Sequence, residues 1–565
     1  MYILGISAYY HDSAACLIKD GQIVVAIEEE RFTRVKHDNS FPYKAIEFCL
    51  KDQGLKPQDV NYTAYYEKPL LKFERILETF IDTYPFSLKS FLRGMPEWFG
   101  NKIKIETTIR KLGFNEKVFF IPHHFSHAAA TFYPSPFKKA AILTVDGVGE
   151  WQTTGLWMGD GNNIQPLKLI NFPNSLGLLY STFTAFLGFK INEDEYKLMG
   201  LAAYGKPKYS VSINQLIETK DDGSFKLNLK YFGFRKSLSM FNSNFEKLFG
   251  KVRKSNEKIT QRHKDMAASI QTVTEDIYFK MLNHLYLITK TENLCISGGV
   301  ALNALANGKI YERTPFKKVY IFGAAGDSGA AVGAGLFAYF NVIPSEARNL
   351  AKRNKIKNLY LGSKYLNEQI EPILKKYKLK YIKLNEEKLI NKTVELLSQG
   401  KIIGWFQGRC EYGPRALGNR SILCKPNPRS MKTKMNIIKL REQFRPFAGS
   451  ILQEKVSDYF DVPEKKIWSP FMTFCFQVKR DRRDDLSAIV HKDGSCRIQT
   501  VSKTNGRYFK LISQFYKLTG ISCILNTSFN LKGEPIVENP EQAIKDFLKT
   551  NMDYLVIGDF LASKS

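Results

Sequence analysis

Cysteine and histidine are scarce in this chain of 565 residues, since each occurs only eight times. The cysteines are scattered, and no two of them form a Cys-x-x-Cys pair. This distribution argues against a disulfide framework and against a structural zinc site. It is typical of a protein that works in a reducing cytoplasm, so we expect a cytoplasmic location.

Long apolar runs are also missing. No uninterrupted apolar segment reaches the roughly 18 residues that a membrane-spanning helix needs. The first residues, MYILGISAYYHDSAA, lack a basic leader, and Asp12 interrupts their apolar run, so no signal peptide is expected. We therefore predict neither a membrane span nor a membrane partner.

Acidic residues are few relative to basic ones: 55 Asp and Glu stand against 83 Lys and Arg, which gives a net charge of +28. Two explanations remain open. The lysines can simply cover a solvated surface, or they can attract anionic substrates, nucleotides or a nucleic acid. The densest run, 206–264, has no regular alternation of basic and aromatic residues, and no nucleic-acid module is recognisable. A nucleic-acid partner is therefore not expected.

The length predicts two or three domains, and the N-terminal part contains two similar strand patterns. YILGIS, SAACLI and QIVVAIEEE form one meander with turns between them, and AAILTVDG, TTGLWMGDG and NIQPLKLI form a second. Two such meanders predict an α/β fold that is duplicated, as in the actin/hexokinase/Hsp70 superfamily.

The C-terminal part has the pattern of a second α/β domain. A helix predicted over Asp265–Thr289 leads into two strand–turn–helix units rich in glycine. A polar, lysine-rich stretch follows them, and after it GKIIGWFQGR and GISCILNTSFN read as strands that end in polar clusters. We therefore predict a first domain over 1–345, a linker over 346–357 and a second domain over 358–565.

Three of the eight histidines lie together in FIPHHFSHAAATFYPSPF. If this segment is helical, His123 and His127 share one face, which is the spacing of helix-borne metal ligands. Asp146 ends an apolar strand, and Asp327 lies in the glycine-rich GAAGDSG. Two His and two Asp would suit iron, manganese or zinc. Ordinary roles remain open, because the histidines can be polar helix-terminal residues and each Asp a turn or cap residue.

Two further segments have the composition of anion sites. SGGVALN places Gly298 and Gly299 between a strand and a helix, where backbone N–H groups can meet an anion, although tight packing also explains them. GRCEYGPRALGNRSILCKP and FRPFAGS carry arginines among Gly, Pro and Leu, which favours phosphate binding over a solvated surface. NTSFN adds hydrogen-bonding groups at a strand end. The arginines and polar residues concerned are Arg409, Arg415, Arg420, Arg445, Asn526, Ser528 and Asn530.

Taken in order, these motifs resemble the NodU/CmcH-type O-carbamoyltransferases over nearly the whole chain. The resemblance is carried by GISAYYHDSAACLI, EEERFTRVKHD, HHFSHAAATFYPSPF, TVDGVGE, EYKLMGLAAYG, GGVALN, GAAGDSGAAVGA, GRCEYGPRALGNRSIL, FRPFA, RIQTV and NTSFNLKGEPIV. It implies an N-terminal domain similar to the catalytic subunit of tRNA threonylcarbamoyl transfer, followed by a YrdC-like domain.

The resemblance also implies roles for single residues. It makes His11 the catalytic base and Lys36 a ligand-binding lysine, and it makes iron the metal held by His123, His127, Asp146 and Asp327. Asn303 and Gly326 join Gly298 and Gly299 on the nucleotide side. Arg497 joins Arg409, Arg415, Arg420, Arg445, Ser528 and Asn530 in a carbamoyl phosphate and ATP site.

The chemistry implied is a two-step carbamoyl transfer. Carbamoyl phosphate and ATP, with Mg²⁺, give carbamoyladenylate in the YrdC-like domain, and a hydroxylated small molecule takes the carbamoyl group in the first domain. A homodimer is expected by the same resemblance. Two rival functions remain open: a tRNA threonylcarbamoyltransferase, and a sugar kinase of the same fold.

Overall fold

The computed structural model describes residues 1–344, 355–463 and 467–564. The chain forms two compact units. The first comprises Met1–Val25, Asn39–Ala306 and Ile310–Lys355, and the second comprises Ala26–Asp38, Asn307–Lys309 and Ile356–Ser565. Two short segments within the predicted first domain, 1–345, thus belong to the second unit. The predicted domains were continuous ranges and did not include this exchange. Residues 346–354 of the predicted linker lie outside the described residues.

The first unit contains two five-stranded sheets with the same topology. In each, a central strand has an antiparallel hairpin partner on one side and two parallel strands on the other. The first sheet has the order β3-β2-β1-β4-β5 and the second the order β12-β11-β6-β7-β8. The predicted duplicated fold is therefore confirmed. The strands are β1 (Tyr2–Ser7), β2 (Ala14–Lys19), β3 (Gln22–Glu28), β4 (Tyr62–Tyr65), β5 (Val118–Phe120), β6 (Lys139–Val145), β7 (Gln152–Asp160), β8 (Asn163–Asn171), β11 (Asn293–Ser297) and β12 (Lys318–Ile321), with a separate hairpin of β9 (Ile217–Thr219) and β10 (Phe225–Leu227).

Helices cover the two sheets of this unit. The helix predicted over Asp265–Thr289 is confirmed and begins four residues earlier, at Gln261. The helices of the N-terminal half are α1 (Glu30–Thr33), α2 (Tyr43–Asp52), α3 (Pro69–Thr83), α4 (Leu88–Glu97), α5 (Ile105–Lys111), α6 (His123–Phe132), α7 (Leu176–Phe186), α8 (Glu195–Ala202), α9 (Ser210–Asn214), α10 (Ser243–Phe249), α11 (Gln261–Thr289), α12 (Ala304–Gly308), α13 (Ile310–Arg313) and α14 (Asp327–Phe337).

A close approach of two helices brings the metal candidates toward each other. A Cβ added to Gly333 of α14 would lie 1.7 Å from the carbonyl oxygen of Ser126 in α6, so only glycine fits there. The N-terminus of α14, where Asp327 lies, is thereby held against the helix that carries His123 and His127.

The second unit is built on a ten-stranded mixed sheet of order β13-β22-β21-β14-β15-β20-β16-β19-β18-β17. Apolar side chains of the sheet and of two helices, among them Trp405, Leu511 and Val556, form one buried core. The elements are α15 (Asn367–Lys376), β13 (Lys380–Lys383), α16 (Glu386–Ser398), β14 (Ile403–Phe406), β15 (Arg420–Cys424), α17 (Ser430–Ile438), β16 (Ala448–Leu452), α18 (Val456–Tyr459), β17 (Phe460–Asp461), β18 (Phe474–Val478), β19 (Ser495–Val501), α19 (Arg507–Thr519), β20 (Cys523–Ser528), α20 (Pro540–Leu548), β21 (Tyr554–Ile557) and β22 (Phe560–Ser563).

Among the described helices, none combines the length and apolarity needed to cross a bilayer.

Candidate functional site

The first unit gathers two histidines and two aspartates at one buried point. His123 and His127 lie on α6, Asp146 follows β6, and Asp327 begins α14. One ligand atom from each residue lies within 4.8 Å of the other three. His123 Nε2 is 3.1 Å from Asp146 Oδ2, and His127 Nε2 is 3.4 Å from Asp327 Oδ1. The sequence-predicted set therefore comes together in the fold.

The donor atoms of this cluster suit a cation. The Nε2 atoms of His123 and His127 are 3.0 Å apart and point at each other. Both carboxylate oxygens of Asp327 are buried without a hydrogen-bond partner, which is costly unless a cation satisfies them. Imidazole and carboxylate donors together are typical of iron, manganese and zinc sites. The residues present thus fit a divalent metal.

Neighbouring groups orient these four ligands. The Glu150 carboxylate accepts the backbone N–H of His123 at 3.0 and 3.1 Å and so caps the start of α6. Ser297 Oγ lies 3.4 Å from His127 Nδ1, and the backbone N–H of Gly299 donates to Asp146 Oδ1 at 2.9 Å. Sequence reasoning missed Glu150 and Ser297. In the sequence, the only sign of a role for Glu150 is that it lies four residues after Asp146 of the TVDG motif.

The electrostatics of the cluster favour charged carboxylates. Burial opposes ionisation of Asp146, but hydrogen bonds from His123 and His127 outweigh it and hold the pKa of Asp146 well below its usual range. Burial also favours a neutral His127, yet the nearby carboxylates of Asp146 and Asp327 raise its pKa to about 9. A bound cation would supply the positive charge that protonated imidazoles otherwise provide to the two carboxylates.

His124 serves a different purpose. Its Nδ1 is hydrogen-bonded to Thr144 Oγ1 at 2.8 Å, and burial lowers the pKa of its imidazole to about 3. It is therefore a neutral residue of the protein interior and lies outside the ligand set.

His11 lies beside the cluster. Its Nε2 is 3.9 Å from Asp327 Oδ2, and its Nδ1 is 3.0 Å from Asp12 Oδ2. Burial favours the neutral ring, but the charges of Asp327, Asp12 and Asp146 outweigh it and raise the pKa of His11 to about 10. The contact with Asp12 favours a proton on Nδ1, which leaves Nε2 directed toward the cluster.

The glycine turns of the nucleotide side adjoin the same cluster. Gly298 has φ +94°, and an added Cβ would lie 2.2 Å from the Val145 carbonyl oxygen. Asn303 exchanges hydrogen bonds of 3.0 Å with Gln271. Gly326 precedes α14, and nothing lies within 4 Å of the position where its Cβ would be. Of these residues, Gly326 leaves the most open space for a ligand.

The second unit gathers cations around the end of β20. Lys439 Nζ donates to the carbonyl oxygens of Ser528 and Asn530 and, at 2.9 Å, to Asn530 Oδ1. Ser528 Oγ donates to Asn530 Oδ1 at 2.6 Å. Burial, reinforced by Arg441 and Arg445, holds the pKa of Lys439 well below its usual range. Lys439 was not predicted, since it looks like one more lysine at the end of an ordinary helix.

The predicted arginines fall into two groups. In the first group, burial lowers the pKa of Arg497 and the charge of Arg445 contributes to this. The charges of Arg497 and Arg415 in turn oppose the effect of burial, which raises the pKa of the Cys475 thiol. By contrast, Arg409 Nη2 donates to the Leu361 carbonyl, and Arg420 lies elsewhere in the interior.

Arg420 is placed differently from the expectation of a ligand-facing residue. Its guanidinium is completely buried, stacks on Phe406 at 3.6 Å, and donates to the carbonyl oxygens of Gln407, Gly408, Asn419 and Ser363. These bonds occupy the donors that a phosphate would need. Arg420 therefore holds the arginine-rich loop in shape.

Lys36 also has a different place from the one expected. The resemblance made it a ligand-binding lysine, and the predicted range 1–345 placed it in the first domain. In the structure it lies in Ala26–Asp38 of the second unit, and its charge contributes to the lowered pKa of Lys439.

The chain thus contains a duplicated α/β unit with a buried His/Asp cluster and a second α/β unit with a group of buried cations. Residues 2–336 match the family model described as carbamoyltransferase N-terminus, and residues 394–564 match that of the carbamoyltransferase C-terminus. The chain belongs to this family and is a carbamoyltransferase.

Two relatives can be aligned with nearly the whole of this chain. An uncharacterized protein of Synechocystis sp. is 46% identical over 100% of this chain and 97% of its own. Nodulation protein NolNO of Sinorhizobium fredii is 36% identical over 99% of this chain and 80% of its own. Among solved structures, the activator of the 2-hydroxyisocaproyl-CoA dehydratase from Clostridium difficile matches 62% of this chain and 100% of its own, at 14% identity and a TM-score of 0.32.

Proposed function

We propose that this carbamoyltransferase uses carbamoyl phosphate and ATP to carbamoylate a hydroxyl group of a small, sugar-like or natural-product acceptor. In the first step water hydrolyses carbamoyl phosphate to carbamate and inorganic phosphate, and the carbamate oxygen attacks the α-phosphorus of ATP. This gives carbamoyladenylate and pyrophosphate. In the second step the acceptor oxygen attacks the carbamoyl carbon, the bond from that carbon to the AMP oxygen breaks, and AMP leaves.

The first step is assigned to the second unit, which we regard as YrdC-like. Its support is the group of cations around Ser528 and Asn530: Lys439 is hydrogen-bonded to both residues, and Arg441 and Arg445 lie near enough to lower its pKa. Such a group suits the phosphates of carbamoyl phosphate and of ATP bound with Mg²⁺. We assign Lys36 to this site because its charge acts on Lys439.

The second step is assigned to the first unit, and the observation that carries it is the position of His11 beside the His/Asp cluster. The Nδ1–H of His11 donates to Asp12. A divalent cation held by Asp146 and Asp327 would offset two of the carboxylate charges that raise the pKa of His11, so that Nε2 loses its proton and can take that of the acceptor hydroxyl. Gly326, which immediately precedes α14, has no atom within 4 Å of the position of an added Cβ, and we assign the nucleotide part of carbamoyladenylate to this space.

The four ligands of the metal would be His123, His127, Asp146 and Asp327. We expect Fe²⁺, with Mn²⁺ and Zn²⁺ as alternatives. The metal would supply a Lewis acid for an oxygen of the carbamoyl or phosphate group. Glu150, Ser297 and Gly299 hold the ligands in place whichever metal binds.

The test separates the two steps. Exchange of labelled pyrophosphate into ATP reports the first step without an acceptor, and we expect it to depend on carbamoyl phosphate. Labelled carbamoyl phosphate with a panel of hydroxylated compounds then reports transfer, with AMP as the second product. Transfer to tRNA with threonine as co-substrate would contradict the small-molecule acceptor. Formation of ADP without any need for carbamoyl phosphate would indicate a kinase and overturn the proposal.

A further inference from the structure

Helix α3 buries charges and exposes leucines. Lys72 and Arg75 are 6% and 7% exposed, whereas Leu70 is 69% and Ile81 64% exposed. Leu70, Leu77 and Ile81 follow one another at intervals of seven and four residues, so they form one outward stripe. A helix of a water-soluble protein normally has the opposite arrangement.

The inward charges fix this orientation. Lys72 Nζ forms an ion pair of 2.6 Å with Glu67 and lies 4.9 Å from the centre of the Tyr10 ring. The Arg75 guanidinium lies 5.0 Å from the centre of the Phe172 ring. Turning α3 to bury its leucines would break these contacts, so the apolar stripe stays outside.

The segment that follows extends the apolar face. Phe80 stacks on Phe91 at 4.0 Å, and Phe73 contacts Trp98 at 5.5 Å, so that α4 is held against α3 as a helical hairpin. We call the exposed apolar side chains of this hairpin the hairpin surface. Its members are Leu70, Leu71, Leu77, Ile81, Tyr84, Phe86, Leu88, Leu92, Phe99 and Ile103.

The hairpin surface is large for an uncovered patch. Its ten side chains are each between 36% and 73% exposed. Together they present roughly 1,000 Å² of mostly apolar area, compared with about 300–600 Å² for the largest patch on a typical monomer. A surface of this size indicates a partner.

The charges around the hairpin surface select the kind of partner. Within residues 79–104 the two acids are already paired, Asp82 with Arg235 and Glu97 with Lys102. The exposed Lys89, Arg93 and Lys104 form no ion pair with any residue that the structure describes, and neither does Lys236, whose Nζ lies 5.3 Å from the centre of the Phe86 ring. On α3 the exposed Glu74 and Glu78 also form no ion pair with a residue that the structure describes, so four cations stand against two acids and the remaining charge is net positive.

We propose that the hairpin surface docks on a bilayer that contains anionic phospholipids. Leucine and aromatic side chains beside lysine and arginine are the composition of helices that lie in the membrane interface, where the cations meet the lipid headgroups. A second copy of this chain is disfavoured, because it would bring the same unpaired cations, on a chain of net charge +28, against each other. This inference does not depend on the carbamoyl chemistry, and it departs from the sequence-based expectation of no membrane partner.

The apolar contribution is tested by flotation of the full chain with vesicles of phosphatidylcholine containing one third phosphatidylglycerol. The wild type is expected to float. The variant I81S/F86S/L92S should bind at least about a hundredfold more weakly, because three interfacial side chains are lost. The matched control V211S/L366S/L518S changes three equally exposed apolar residues elsewhere and should float like the wild type. Thermal melting of both variants checks that they are folded.

The charge contribution is tested with K89Q/R93Q/K104Q, which should weaken binding about fivefold per charge removed. The control K388Q/K434Q/K517Q has the same change in net charge and should bind like the wild type. Failure of the wild type to float, or flotation of I81S/F86S/L92S at the wild-type level, would overturn the proposal. So would a wild-type dimer that this variant converts to a monomer, without any flotation, since the hairpin surface would then be a self-interface.

Discussion

The two candidate sites of this molecule are built from opposite charges. In the first unit, buried carboxylates of Asp146 and Asp327 face two imidazoles, and the oxygens of Asp327 have no hydrogen-bond partner. In the second unit, Lys439 is buried among Arg441 and Arg445, and its pKa is forced down. Each arrangement is unfavourable by itself and becomes favourable when the counter-charge binds.

This difference agrees with the proposed division of a two-step transfer. A site that is short of positive charge suits a cation, and a site that is short of negative charge suits phosphates. The variants below test whether the two sites can be damaged separately, beginning with the largest expected effect.

Asp327→Asn should have the largest effect, because it removes a charge from the buried ligand set. We expect loss of bound metal by elemental analysis and a fall in carbamoyl transfer of about a thousandfold, since Lewis-acid stabilisation is worth several kcal/mol. Asp222→Asn is the control, as Asp222 is paired with Lys168 at a partly exposed site away from the cluster. An Asp327→Asn protein that keeps its metal would contradict the ligand assignment.

His11→Asn should slow transfer by about 10²–10⁴-fold, which is the usual contribution of a general base. Metal content and carbamoyl phosphate-dependent pyrophosphate exchange should stay at the wild-type level. His284→Asn, on α11, controls for the loss of a histidine elsewhere. If metal content fell together with transfer, His11 would have a structural role instead.

Lys439→Gln should lower pyrophosphate exchange by about 10- to 100-fold, because the buried charge that orders Ser528 and Asn530 and attracts phosphate is lost. Metal content should not change. Lys434→Gln, on the exposed side of the same helix, is the control. Equal exchange in the two variants would remove Lys439 from the anion site.

The lowered pKa of Lys439 also predicts a pH dependence. Without an anion the lysine is largely neutral above its lowered pKa, and a bound phosphate favours the charged form, so binding takes up a proton. Inorganic phosphate should therefore bind more weakly as pH rises from that lowered pKa toward the ordinary lysine value. Calorimetry in two buffers of different ionisation enthalpy should show proton uptake in the wild type and less uptake in Lys439→Gln. Equal uptake in both proteins would assign the proton to another group.

Ser297→Ala should have the smallest effect, since Ser297 contacts the ring of His127 and the Ala325 carbonyl oxygen but is not itself a ligand. We expect about a tenfold weaker affinity for metal, measured by competition with a chelator, and little change in folding. Ser237→Ala, at an exposed position, is the control. An unchanged metal affinity would show that the ring is held by packing alone.

Sequence reasoning reached the parts of the molecule that depend on local pattern. The two meanders predicted the duplicated sheets, and helical spacing with strand ends predicted which His and Asp residues meet, because strand ends and helix starts collect at one edge of such a fold. It did not reach residues whose role depends on distant partners. Arg420 looks like the neighbouring arginines in the sequence, yet its guanidinium donates to four backbone carbonyls.

The same limit applies to Lys36 and to α3. Lys36 lies in a segment that packs with residues hundreds of positions away, so its unit could not be read from its neighbours in sequence. The leucines of α3 have the spacing of a core-facing stripe. Only the contacts of Lys72 and Arg75 with Glu67 and Phe172 show that this stripe faces outward.

The most direct test of two separate sites is pyrophosphate exchange in the Asp327→Asn protein. Our account predicts that exchange dependent on carbamoyl phosphate continues at the wild-type rate although metal and transfer are lost. Loss of exchange together with the metal, in a protein that melts like the wild type, would contradict the division of the chemistry between the two units.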